Sequence, residues 1–213
     1  MYQHKSFSLA DQVFEKLENN ILRGVYTPGE LLTETRLSDE LNVSRTPVRE
    51  ALRRLRQENL VADSTKGSVV LGISEDDIKD IYEIRLALTE NIMGRYIKNA
   101  TDADLQALKN AVDLQDFYCN QHDNENVMAK DSEFHDLIYV GTGSHIFAET
   151  LAPLHKKLVK YRRASIEHIG RAAKSIEEHK AIYNALSARD TENAVKLMNE
   201  HIANARDSIL KGE

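Results

Sequence analysis

Four polar side chains stand where a helical pattern calls for apolar ones. Asp131 and His135 are four residues apart, so on a helix they share one face, with Met128 and Ile138 beside them. His179 falls in register with Ile176, Ile182, Tyr183 and Leu186, and His201 with Ala194, Leu197, Met198 and Ala205. Buried imidazoles and carboxylates need partners. Any one of the four could be an ordinary satisfied core residue, but their spacing argues for a set. If the helices carrying His179 and His201 form an antiparallel hairpin that turns near Asp190, each histidine lies about 16 Å from the turn at ~1.5 Å per residue. The two then face each other at one height. A third helix at that level would add Asp131 and His135. Three imidazoles and one carboxylate suit a single divalent ion, zinc first and nickel, manganese or iron as alternatives, with positions left for water or an organic ligand.

His4, His122, His145, His155 and His168 join no such set and are expected at the surface or in ordinary packing. Arg85 shares the inward stripe of an earlier helix with Ile81, Leu88, Ile92 and Tyr96. A buried guanidinium asks either for an acidic protein group or for an anionic ligand, which makes Arg85 the candidate effector-binding residue. Arg162 and Arg163 read as a solvated or interface face.

The elements that would position these groups are helices. From Ser74 onward helical periodicity dominates and strand signals are almost absent, with helices expected at 75–98, 102–121, 124–140, 144–168, 172–188 and 191–210. Thr101, Gly141-Thr-Gly143, Gly170 and Arg189-Asp190-Thr191 mark the breaks. Residues 74–213 therefore read as an all-α bundle.

A second chemistry belongs to the N-terminal part, residues 1–73. Val48, Ala51, Leu52 and Leu55 form the buried stripe of a short helix, while Arg45, Arg49 and Arg53 step by four along another face. Ser44 is placed to cap this helix, and Pro47 falls in its first turn. Upstream, Thr33 can cap a helix from Glu34 to Leu41, and Asn42-Val43 makes the tight turn between the two. That is a helix-turn-helix, whose second helix enters the major groove of DNA. Leu60–Asp63 and Ser68–Leu71 flank Ser64-Thr-Lys-Gly67 as a hairpin, or wing, with Lys66 near its tip. A first helix capped by Ser8 with Asp11 carries Leu9, Val13, Phe14, Leu17 and Ile21 and ends at Gly24.

Charge is distributed to match. The net charge of −6 belongs entirely to residues 74–213, since residues 1–73 hold ten basic and ten acidic side chains. Within residues 44–56 five arginines face one glutamate, so attraction to phosphate is local. No run approaches the ~20 apolar residues of a membrane span, and no apolar h-region follows the N-terminus. Cys119 is the single cysteine, so no intrachain disulfide is expected and a reduced cytoplasm fits.

Ile21-Leu-Arg-Gly, Pro28-Gly-Glu-Leu-Leu and Val43-Ser-Arg-Thr-Pro-Val-Arg-Glu-Ala-Leu-Arg-Arg-Leu resemble the winged helix of bacterial GntR-family transcription regulators. The resemblance spans residues 8–73 and implies DNA contacts from Arg45, Thr46 and Arg49, with Lys66 and Gly67 on the wing and Arg36 a weaker carry-over. It also implies a short palindromic operator with GT and AC in opposing half-sites. Asp131-Ser-Glu-Phe-His135, Glu178-His179-Lys-Ala-Ile and Met198-Asn-Glu-His201 are similar to the metal-binding motifs of the all-helical domain in the FadR-like subfamily. That resemblance implies metal ligation by Asp131, His135, His179 and His201, dimerisation through the helical domain, and a small organic acid bound beside the metal. Two departures bear on the pocket. Thr89 stands where the family usually has a glutamate four residues after Arg85, with Glu90 next to it, and Ser144-His145 follows Gly143 in place of a common Gly-Asn. The expectation is thus a mainly α, two-domain, homodimeric regulator whose operator affinity responds to an acid. A regulator for which the metal itself is the signal, and a metalloenzyme fused to a DNA-binding domain, are the alternatives.

Overall fold

The computed structural model describes residues 8–167 and 170–211, so His4 and His168 lie outside the described residues. Two compact units divide the chain, residues 1–74 and 75–213.

In the first unit, α1 (Leu9–Leu22) starts at a reciprocal cap in which the Ser8 hydroxyl accepts from the Asp11 amide and Asp11 accepts from the Ser8 amide. Helix α2 (Glu34–Leu41) is capped by Thr33 and ends at Asn42 in the left-handed region, φ 53°. Helix α3 (Arg45–Gln57) follows after that turn. Val13, Leu17, Leu37, Val48, Leu52 and Leu55 make the core beneath the three helices. Strand β2 (Val61–Ser64) and strand β3 (Gly67–Val70) pair antiparallel with Ser64 opposite Gly67, so Thr65 and Lys66 form the tip of the hairpin.

Two features of this unit depart from expectation. A short strand β1 (Leu31–Leu32) joins β3 on its other edge, giving the order β1-β3-β2. It explains Gly67: a Cβ there would lie 2.5 Å from the Leu32 carbonyl oxygen. Ser44 occupies the cap position of α3, but its hydroxyl makes no capping bond. Ser44, Arg45 and Thr46 at the start of α3 are exposed.

The second unit holds α4 (Glu75–Asn99), α5 (Asp102–Asn120), α6 (Asn124–Gly141), α7 (His145–Lys157), α8 (Val159–Glu167), α9 (Arg171–Ser187) and α10 (Thr191–Lys211). Helix α5 packs on α6 and α9, and α10 packs on α4 and α9. The expected helix over 144–168 is in fact two, because α7 ends at a C-cap on Leu158 and the chain restarts at Val159. No glycine marks this break, and Leu158 is fully buried at it. Among the described residues, no helix is long and apolar enough to cross a membrane.

Candidate functional site

Helices α6, α9 and α10 bring His135, His179 and His201 to one point, and Asp131 lies beside it in a second group with His135 and His155. The hairpin of α9 and α10 turns through Ala188, Arg189 and Asp190, and His179 and His201 meet across it. Their Nε2 atoms are 3.4 Å apart, and His201 Nε2 lies 3.2 Å from His135 Nε2. All three rings are buried. Asp131 Oδ1 stands 3.7 Å from His179 Nε2.

The other ring nitrogens decide what those Nε2 atoms carry. His179 Nδ1 donates to Gln115 Oε1 at 2.7 Å, and His201 Nδ1 donates to Glu178 Oε2 at 2.8 Å. Glu178 also accepts from Asn204 at 2.8 Å and lies 3.4 Å from Arg171. Burial opposes charge on Glu178, yet its bond to His201 and the Arg171 guanidinium outweigh this and lower its pKa. With a proton on Nδ1, a neutral imidazole presents a lone pair at Nε2. Burial, followed by the neighbouring His155 and Arg85, holds His135 well below the usual imidazole range; burial and then His201 do the same to His179. Lone pairs therefore converge on one point, an arrangement that repels itself unless a proton or cation lies between them. Tetrahedral zinc with bonds of about 2.0 Å separates its nitrogens by about 3.3 Å, which matches the two spacings made by His201. The donor set fits a divalent metal.

Asp131 is more heavily engaged than its motif suggested. Its Oδ2 accepts from Arg162 Nη2, and its Oδ1 lies 3.5 Å from Gln115 Nε2. Burial works against the Asp131 carboxylate, but Arg162 and the surrounding imidazoles prevail and keep it well below its ordinary pKa. Arg162 was expected on a solvated or interface face and is instead buried on α8, because Asp131 on α6 supplies the charge that allows it in. Arg163 does remain at the exposed side, paired with Glu125.

His155 corrects a second expectation. Far from surface or incidental packing, it is buried with its ring centroid 4.3 Å from that of His135 and its Nε2 3.8 Å from Asp131 Oδ2. The signal was present: Leu151, His155 and Leu158 form a buried stripe at spacings of four and three. His122 and His145 are exposed as expected. Gln115 and Glu178, the two acceptors that orient the rings, were not recognised as site residues.

Arg85 is buried on α4, its guanidinium 5.5 Å from the Tyr82 ring, and its Nε finds no hydrogen-bond acceptor among the described residues. Thr89 answers the missing glutamate poorly, since its hydroxyl donates to the Arg85 carbonyl at 2.9 Å, while Glu90 points outward. Tyr82, Arg85, Asp131, His135, Arg162 and His201 line one cavity.

In the first unit, Arg45, Thr46 and Arg49 are exposed along one side of α3. Arg49 forms a two-point ion pair with Glu34, both contacts 2.8 Å, across the turn between α2 and α3. Arg36 reaches back to Glu30 at 2.7 Å and to the Leu31 carbonyl at 3.3 Å. Arg56 links α3 to the wing through Ser68 at 3.1 Å and Asp63 at 3.2 Å. Lys66 is exposed at the wing tip.

The fold and these residues define a winged helix-turn-helix unit followed by an all-helical unit with a buried polar centre, the build of a DNA-binding regulator with a sensory domain. Comparison with known proteins agrees. Residues 9–70 match the family "Bacterial regulatory proteins, gntR family", and residues 80–204 match the FCD domain. The chain is 31% identical to the HTH-type transcriptional regulator YcbG of Bacillus subtilis, covering 96% of this chain and 91% of that protein. It is 24% identical to the gluconate operon transcriptional repressor of the same organism, over 93% of this chain and 84% of that one. The solved structure of Escherichia coli McbR/YncC superposes with a TM-score of 0.82 at 24% identity, covering 96% of this chain and 98% of the other. The chain belongs to the GntR family and carries an FCD domain. It is a DNA-binding transcription regulator, as its relatives are, and not an enzyme.

Proposed function

We propose that this regulator holds one divalent metal, zinc first, on Asp131, His135, His179 and His201, and binds a small organic carboxylate beside it. The observation that carries this reading is the convergence of three imidazole Nε2 atoms, two of them oriented by Gln115 and Glu178. A bound metal would supply a Lewis-acidic position for a ligand oxygen. Arg85, buried with an unsatisfied Nε, supports a carboxylate as the signal over the metal alone. Thermal unfolding of zinc-loaded protein against a panel of organic acids tests the reading. A ligand present at 100 times its dissociation constant stabilises by about 2.7 kcal/mol, and no shift with any acid contradicts it.

The same reading places a homodimer on a short palindrome, in the bacterial cytoplasm where its DNA lies. Arg45, Thr46 and Arg49 enter the major groove, and Lys66 and Gly67 follow the backbone from the wing. Arg49 exchanges Glu34 for DNA as it does so. Arg36, held by Glu30, acts mainly to fix the start of α2. The acid alters contacts among the helices of the second unit, including α4, which continues the chain from the wing through Gly72 and Ile73. A palindromic site requires two-fold symmetry, and the winged helix alone offers little interface. Residues 75–213 without the DNA-binding unit are therefore expected to sediment as a dimer at micromolar concentration. A monomer would contradict the assignment.

A pH dependence follows for the metal-free protein. His135, His155 and His179 have folded pKa values well below the unfolded value of 6.5. Their stabilising contribution is complete above about pH 6.5 and is lost as the pH falls from there toward the folded values, because the unfolded chain then binds more protons. The melting temperature of chelator-treated protein is expected to fall between pH 7.5 and pH 5.5. An unchanged or rising value would show that these rings are not buried as neutral bases.

A further inference from the structure

Among the described residues, four buried side chains around the cavity carry nitrogen or oxygen atoms without a hydrogen-bond partner: Tyr82 Oη, Arg85 Nε, Arg162 Nη1 and both ring nitrogens of His155. Native interiors seldom leave such groups unpaired, and four beside one cavity point to something that binds there. The charges point the same way. Of the charged groups that line this cavity, Arg171 is held by Glu178, which leaves Arg85 and Arg162 facing Asp131. That is one surplus positive charge, and a divalent ion held by Asp131 raises it to three. A single carboxylate leaves most of that surplus buried and unanswered.

We propose that Arg162 is a concealed ligand-binding residue and that the effector is a small dicarboxylate. The inference rests on the metal reading above. In the metal-free chain, Arg162 neutralises Asp131 through Nη2 and also reaches Ser132 Oγ at 3.3 Å, while Nη1 stays unused. When Asp131 turns its charge to a cation, Arg162 loses its only buried carboxylate among the cavity-lining groups. The planar fork then takes the second carboxylate of the acid in a two-point contact, while the first lies between the metal position and Arg85. Arg162 thereby couples the two occupants of the site: the acid finds its second anchor only after Asp131 has been engaged. His155, 3.8 Å from Asp131 Oδ2 on the same side, is available to hydrogen-bond the same carboxylate.

The test compares full-length wild type, Arg162→Met and Arg162→Lys. Zinc affinity is read by competition with a chromogenic chelator. Acid affinity is read by calorimetry with malonate, succinate and glutarate against the monoacids of equal carbon number, propionate, butyrate and valerate. In zinc-loaded wild type, at least one diacid is expected to bind tenfold or more tightly than its monoacid, the scale of one charge-assisted hydrogen-bonded contact. Arg162→Met should hold zinc at least as tightly as wild type, since Asp131 no longer has a competing cation, and should lose the diacid preference. If that variant does not fold, Arg162→Lys carries the test: it keeps the charge but not the fork, and should retain zinc while losing most of the preference. Zinc bound with no diacid preference in wild type, a preference that survives in either variant, or weakened zinc binding in Arg162→Met would overturn the role of Arg162. Failure of the wild type to take up zinc would instead overturn the metal reading beneath it.

Discussion

The double variant His179→Ala, His201→Ala should bind no stoichiometric zinc and show no response to acids, yet still bind operator DNA. Two of the three converging Nε2 atoms disappear, and His135 loses both imidazoles that it meets at the proposed metal position. Gln115 and Glu178 lose the rings they orient, so the effect exceeds the removal of two donors. A modest loss of stability is expected from the cavities left by two buried imidazoles, and a melting curve will register it. The DNA-binding unit has its own core beneath α1, α2 and α3, which these substitutions do not touch. Metal analysis after dialysis, thermal shift with acids and operator binding together read the outcome. Full zinc content in the double variant would remove these histidines from the site, and an intact acid response would remove the metal from the switch.

The second large effect belongs to α3. Arg49→Ala is expected to weaken operator binding about 5- to 150-fold, the ~1–3 kcal/mol of one arginine–guanine contact, while changing binding to random DNA much less. The Glu34 ion pair complicates the reading in a useful way. Arg49 must leave Glu34 to reach a base, so Glu34→Gln should bind DNA somewhat more tightly by freeing the guanidinium. The pair is exposed and its own contribution to stability is small, so neither variant should fold less well. Equal losses on operator and random DNA in Arg49→Ala would make this residue a phosphate contact. Comparison of competition titrations at one salt concentration separates the cases.

Much of this architecture was legible from local rules, and the exceptions share a cause. The caps at Ser8 and Thr33, the tight turn at Asn42 and the stripe from Val48 to Leu55 are set by residues within a turn or two of each other, and they appear as expected. The meeting of His179 and His201 was legible too, because two helices joined by a tight turn have their heights set by counting. Strand β1 was missed because two residues carry no alternation, and it exists only where β3 runs past. The end of α7 at Leu158 was missed for a similar reason, as nothing in its own neighbourhood forbids a longer helix. Arg162 looked like a surface residue because its partner Asp131 lies 31 positions away on another helix. His155 was passed over for want of a visible constellation, although its own helical stripe marked it as buried. Nearby neighbours in sequence announce themselves; partners brought in by packing do not.

Coupling between the helical unit and the operator is the central property of the proposed switch. Duplexes selected from a random pool by the full chain supply the DNA, and affinity is then measured for one protein preparation in three states: chelator-treated, zinc-loaded, and zinc-loaded with an acid that raises its melting temperature. The predicted result is a change of about 5- to 150-fold on adding the acid, the scale of a coupling of ~1–3 kcal/mol, present only with zinc bound. The same operator affinity in all three states would contradict it, and a change produced by zinc alone would make the metal the signal.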